Sequence, residues 1–220
     1  MNTSTPIPRH PASPQTTLRR DTARAQTPPA RQRGFSMIEV LAAMVIIAFG
    51  LLGLMGMQAT SHQAELESYQ RAQALILLND MVERINSNRD SAACYAVTSA
   101  TTGTPYLGTS TGGGYLGTPN CGSGFVNVQT KQLADSGMTE WNLALQGASE
   151  TSSAGTAVGA MVDARGCVSY DATTQTYTVA VAWQGTTDTF TPVVNCANGL
   201  YGAETKRRVV WTTLKIATLS

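Results

Sequence analysis

Residues 33–58 read RGFSMIEVLAAMVIIAFGLLGLMGMQ. From Val40 to Met57 no side chain is charged or strongly polar, and back to Phe35 only Ser36 and Glu39 interrupt the run. As a helix, residues 35–57 rise about 35 Å, enough to cross a hydrocarbon core of roughly 30 Å. Arg31 and Arg33 stand just before it. The positive-inside rule keeps them cytoplasmic and exports the C-terminal bulk of the chain. Glu39 is the anomaly. A carboxylate in an apolar helix costs about 2.5–3.5 kcal/mol on insertion scales, and a plain anchor has no use for one. A secretory signal fits no better, because its apolar core is roughly 7–15 residues and ends in a small-x-small cleavage site. Here the run is longer, and Ala59 has Met57 two residues before it. A buried core helix would not come after so basic a flank.

The flanks differ sharply. Residues 1–34 carry six Arg and one acid, Asp21, with six of the nine prolines. Such a segment buries too little apolar area to offset its ordering entropy, so it is expected to be disordered. Residues 35–220 carry nine Lys+Arg against thirteen Asp+Glu. Beyond Gln58 the sequence turns polar but keeps apolar residues at helical spacing, Leu75, Leu78, Val82 and Ile85. No proline falls between Pro29 and Pro105, so one helix from Phe35 to about Asn88 is expected. Gly50, Gly53 and Gly56 lie inside it, each costing about 1 kcal/mol relative to Ala.

Residues 97–124 read as a Gly/Thr/Ser-rich loop, and 130–146 as a short helix around Leu133, Trp141 and Leu145. The last third alternates as strands do. Tyr177, Val179, Val181 and Trp183 form one series, and Val210, Thr212, Leu214 and Ile216 another. Val168 and Tyr170 precede a turn at Asp171–Gln175 and complete a hairpin. Three or four antiparallel strands would present one apolar face to the helix stripe, an α+β head on a long helix. The four cysteines, Cys94, Cys121, Cys167 and Cys196, all lie beyond the apolar run and include no Cys-x-x-Cys pair. In an exported head an even count reads as two disulfides. Three connectivities are open. Cys94–Cys121 and Cys167–Cys196 are favoured, with free buried thiols as the alternative.

The nine residues Arg33-Gly34-Phe35-Ser36-Met37-Ile38-Glu39-Val40-Leu41 resemble the class III signal of type IV prepilins, with Ser36-Met37 where that family usually has Thr-Leu. The resemblance implies a membrane peptidase that cuts after Gly34 and methylates Phe35, and a retained Glu39. A cationic amine on Phe35 of one subunit would neutralise Glu39 of the next, offsetting the desolvation of both. Residues 49–58 (FGLLGLMGMQ) and 79–89 (NDMVERINSNR) are similar to the PilV family of minor pilins, with weaker echoes at 166–168, 177–183 and 207–210.

That resemblance implies a type IV pilin-like α+β fold. Its parts would be a cytoplasmic, cleaved leader (1–34), a transmembrane and fibre-core helix (35–57), an amphipathic helix half (58–89) and a disulfide-containing head (90–220). It implies a minor pilin that primes assembly and supports adhesion and twitching motility. Other minor and major pilins, the prepilin peptidase/N-methyltransferase, the inner membrane and the pilus assembly machinery would be its partners. The chain would sit in the inner membrane with its head in the periplasm, then in an extracellular pilus. The alternative is a minor pseudopilin of a type II secretion system.

Enzymatic readings find little material. Histidine occurs only at His10 and His62, too few for His-based zinc sites. Gly112-Gly113-Gly114 lacks the Gly-Lys-Ser/Thr ending of a phosphate loop. Asp163 and Asp171 read as carboxylates of solvated loops. No cofactor, metal or catalytic residue is expected. The formal net charge of +1 argues against a nucleic-acid partner. Lys206-Arg207-Arg208 reads as a solvated strand end rather than a phosphate contact.

Overall fold

A computed structural model describes residues 34–122, 127–148, 151–155 and 161–217. The expected leader lies, but for Gly34, outside them. Helix α1 runs Met37–Ser87, and two short turns come next, a 3₁₀ turn at Arg89–Ser91 and α2 at Ala92–Tyr95. Strand β1 is Leu107–Gly108 and helix α3 is Val128–Leu145. Strands β2 (Arg165–Asp171), β3 (Thr176–Gln184) and β4 (Arg207–Leu214) complete the order. They form one antiparallel sheet, β1-β2-β3-β4. The class is α+β, a long N-terminal helix with a four-stranded sheet. The chain divides into two units at Phe49/Gly50. The first, as described, is residues 34–49, the opening of α1.

The second unit holds the core. Ala74, Leu78, Met81 and Ile85 of α1 are buried with Ala134, Met138, Trp141 and Leu145 of α3 and Val168, Val179 and Val181 of the sheet. Burying each large side chain stabilises by about 1.5–3 kcal/mol. The Trp141 Nε1–H donates to the Leu77 carbonyl at 2.8 Å, so the largest core side chain also ties α3 to α1. Gly166 on β2 is required here, because a Cβ would overlap the Trp141 ring. Asn127 caps α3, its Oδ1 accepting from the Gln129 and Thr130 amides at 3.0 and 3.3 Å. Such a cap stabilises by about 1 kcal/mol.

The helix stripe differs from the expected one. Leu75 is 44% exposed and Val82 half-buried, while Ala74 and Met81 take the buried positions. Either set satisfies 3–4 spacing, and the small Ala74 lets the neighbouring elements approach closely. Leu133 on α3 is likewise exposed, and the buried line runs through Ala134, Met138, Trp141 and Leu145.

The sheet has two covered faces, not the single apolar face expected. Alternate residues Cys167, Ala180 and Ala182 lie in a second cluster with Tyr106, Cys196, Ala197 and Tyr201. The structure joins Cys167 to Cys196, with Cα atoms 5.7 Å apart, and so ties the covering loop to β2. It joins Cys94 to Cys121, Cα atoms 5.0 Å apart, fastening α2 to the segment before α3. Loops of 27 and 29 residues each correspond to about 3 kcal/mol of lost unfolded-state entropy. The Gly-rich loop also contains a strand, β1, which sequence alternation does not reveal. Side chains from the end of α3 hold it. Asn142 Oδ1 accepts the Gly108 N–H at 2.7 Å, and Gln146 Nε2 donates to the Gly108 carbonyl at 2.8 Å. Gly108 has φ +108°, and a Cβ there would strike the Ala164 carbonyl.

Candidate functional site

The expected site residues Gly34, Phe35 and Glu39 fall together at the opening of α1. Gly34, Phe35 and Ser36 are non-helical, and the helix begins at Met37 rather than Phe35. The Ser36 carbonyl accepts the Glu39 and Val40 amides at 3.0 and 3.3 Å, which starts the helical ladder. Glu39 lies in the first turn, where the positive end of the helix dipole favours a carboxylate. No heavy atom lies within 4 Å of where a Gly34 Cβ would sit, so the junction is sterically open.

Downstream of the junction the helix is apolar on every face. Every large apolar side chain from Phe35 to Met57 is at least 43% exposed. The stretch is long and apolar enough to cross a membrane, and none of its most apolar window is buried within the chain. A helix apolar all round is stable only against lipid or other helices. Glu39 is the one ionisable group among these side chains.

The four expected cysteines serve the head rather than this site. Cys94, Cys121 and Asp135 cluster within ligand distance of one another, but the two sulfurs are bonded to each other and offer no thiolates. Asp135 instead accepts the Cys121 N–H at 2.7 Å and pairs with Lys131 at 2.9 Å. Asp163 belongs to a structural pair, its Oδ2 lying 2.8 Å from Nη1 of buried Arg165. That guanidinium sits over the rings of Tyr106 and Tyr201 at 5.1 and 4.7 Å. Burial and the neighbouring Asp163 charge push the Tyr201 hydroxyl far above the ordinary tyrosine range, against the opposing pull of Arg165. Asp171 shapes the β2–β3 turn, accepting from the Thr173 amide and the Thr174 hydroxyl. His62 is exposed, with Glu65 3.3 Å away.

The basic run is corrected by the structure. Arg207 is 1% exposed and pairs with Glu204 at 2.6 Å. It also donates to the carbonyls of Val194 and Cys196. Arg208 reaches across to α1 and meets Glu67 at 3.1 Å. Burial alone would raise the Glu67 carboxyl. Hydrogen bonds from Thr187 and Thr186, together with Arg208, outweigh it and hold the group below its ordinary value. Three successive basic residues suggest a solvated strand end only while their partners are out of sight. The acids come from Glu204, three residues upstream, and from Glu67, 141 residues away in the chain. This clamp between α1 and β4 has no local signature beyond the acid at Glu204.

Two family models match, one after the other along the chain. The prokaryotic N-terminal methylation motif covers residues 29–55, and type IV pilin Tt1218 covers residues 56–112. The fold is type IV pilin-like. The boundary between the two matches falls within α1, between the fully exposed run and the half that enters the core. The pilin match ends four residues past β1, so it takes in α2, the first two-thirds of the Cys94–Cys121 loop and the edge of the sheet. Type IV pilins are structural proteins rather than enzymes, and the pilin and methylation matches imply pilus assembly with other pilins and processing by a prepilin peptidase. No curated protein and no solved structure matches the chain significantly.

Proposed function

We propose that this pilin is a minor subunit of the PilV type, which primes assembly of a type IV pilus and thereby supports adhesion and twitching motility. The observation that carries this reading is the opening of α1. An all-round apolar stretch of helix begins three residues after Gly34, and Glu39, the one ionisable side chain of residues 35–57, sits in its first turn. In this reading the peptidase cuts after Gly34, where no bulk obstructs the junction, and Phe35 becomes the methylated N-terminus. Residues 1–34 are the leader, 35–57 lie first in the inner membrane and then in the fibre core, and the head from residue 90 is exported.

Glu39 then answers the amine on Phe35 of an adjoining subunit. In hydrocarbon either charge alone is costly, and the pair offsets both desolvation terms while fixing the stagger between helices. The two disulfides fit an oxidising compartment for the head.

Mass analysis of the N-terminal peptide, from membrane and from sheared pili, tests the reading. A chain beginning at methylated Phe35 in both fractions is the expected result. An intact leader, or a start near Ala59, would overturn it. Recovery only from a periplasmic secretion fibre would assign the chain to the pseudopilins instead.

A further inference from the structure

Strand β4 is the outer strand of the sheet. Among the described residues no backbone hydrogen bond reaches Arg208–Leu214 except from β3; the Arg207 N–H donates to the Glu204 carbonyl of the turn ahead of the strand. Natural edge strands are usually blunted by Lys, Pro, a bulge or a covering element. From Val209 to Leu214 this edge reads Val-Val-Trp-Thr-Thr-Leu, with no charge and no proline. Its residues are mostly β-branched or aromatic, the types that favour strand pairing. Such an edge either recruits a strand or aggregates.

A groove of about 600 Å³ runs beside it, between α1 and the loop ahead of β4. It is lined by Arg71 of α1, by Phe190 and Val193 of the loop, and by Val210 and Trp211 of β4. Phe190 and Val193 are 85% and 84% exposed, and Trp211 is 49% exposed. Trp183, 3% exposed, also lines the groove, and its Nε1–H is buried without an acceptor. An indole N–H left unpaired is costly, so this donor points to an acceptor from outside the chain. The charge is reversed here as well. Arg71, Arg207 and Arg208 line the groove with Glu67; Glu204 and Glu67 offset Arg207 and Arg208, so Arg71 leaves it one positive charge, whereas residues 35–220 have four more acids than bases. Arg71 makes no ion pair among the described residues, while Arg208 is held rigid by Glu67.

We propose that the groove takes an extended, acid-bearing segment of a neighbouring, non-identical pilin subunit, added to β4 as a fifth strand. Main-chain hydrogen bonds along β4 would supply affinity, and alternate side chains would fall against Trp211, Phe190 and Val193. A carboxylate on the segment would meet Arg71, and an acceptor atom would meet the Trp183 N–H. The inference rests on the proposed role in pilus assembly but concerns a groove between β4 and the polar part of α1, not the apolar stretch 35–57.

The test uses the full chain in cells that make pili, with a benzophenone side chain at Val193 or, as a control, at Thr173 in the β2–β3 turn. The Val193 probe should form an adduct in sheared fibres with another pilin subunit, mapping to an extended segment that contains Asp or Glu. The Thr173 probe should not. Arg71→Glu should lower the Val193 adduct at least fivefold without changing the amount of chain in the membrane or its disulfides. Reversing the mapped acid to Lys in the neighbour should restore the adduct. Chain present in fibres with no Val193 adduct would overturn the groove proposal and leave the assembly reading intact. So would an adduct with lipid, polysaccharide or a second copy of this chain, or one indifferent to Arg71→Glu. Absence of the chain from fibres would overturn both.

Discussion

Within α1, residues 35–57 and residues 74–85 obey opposite rules. In the first stretch every face is apolar and every face is exposed. In the second one face is buried to 4% exposure or less at Ala74, Leu78, Met81 and Ile85, and charged residues such as Asp80 and Arg84 occupy the others. Arg84 reaches Asp80 at 3.0 Å and Glu140 on α3 at 2.7 Å, so even its polar face is tied to the head. A helix that satisfies itself within its own chain shows amphipathic spacing. A helix left for lipid or for other subunits shows none. The contrast separates residues that stabilise the fold from residues that find no partner within the chain.

Substitutions on the two sides should therefore report in different experiments. Trp141→Ala removes the largest core side chain and its bond to Leu77. A loss of about 3–5 kcal/mol in unfolding of the head is expected, read by denaturant titration of the full chain in detergent. A loss below about 1 kcal/mol would mean that the α1–α3 contact is not central. Cys167→Ser with Cys196→Ser should cost about 3–4 kcal/mol by the same titration, from release of a 29-residue loop. Reductant should destabilise the wild-type chain and leave that contribution absent in the double variant.

The same contrast explains which features are legible in the sequence. The run from Phe35 to Met57, the junction at Gly34 and the misplaced Glu39 are linear features, so the stretch is legible without the fold. The β2–β3 hairpin is legible too, because Tyr177, Val179 and Val181 alternate and Asp171 supplies the turn acceptor. The choice between Leu75 and Ala74 is not, since a small residue is buried only when a neighbour comes close. Ala180 and Ala182 are equally silent, and their burial depends on the loop fastened by Cys196. β1 exists because Asn142 and Gln146, 34 and 38 residues away, complete the hydrogen bonds of Gly108. Arg207 and Arg208 look solvated until Glu204 and Glu67 are brought beside them.

The clamp between α1 and β4 gives a smaller, pH-dependent effect. The Glu67 carboxyl is held below its ordinary value, so its contribution is present above the unfolded pKa and is lost as pH falls through the folded one. Glu67→Gln should destabilise by up to about 1 kcal/mol at neutral pH. The gap from wild type should close below about pH 4. A gap that stayed constant down to about pH 3 would assign the effect to packing instead of charge. Smallest of all on the unfolding scale is Ile46→Ala, 71% exposed in the first stretch. It should change unfolding stability by no more than about 0.5 kcal/mol, yet lower recovery in fibres. A large loss of head stability would break the contrast between the stretches.

Glu39 is where the two kinds of residue are most cleanly distinguished. Glu39→Gln keeps the shape of the side chain and removes its charge, at a position outside the buried core of the head. The decisive quantity is the ratio of tagged chain in sheared pili to chain in the inner membrane. Membrane content and the proposed N-terminus at Phe35 should be unchanged, while that ratio falls at least about tenfold, the effect of losing about 1.4 kcal/mol of pairing. Entry of Glu39→Gln into pili at the wild-type ratio would contradict the claim that this carboxylate is kept for a neighbouring subunit.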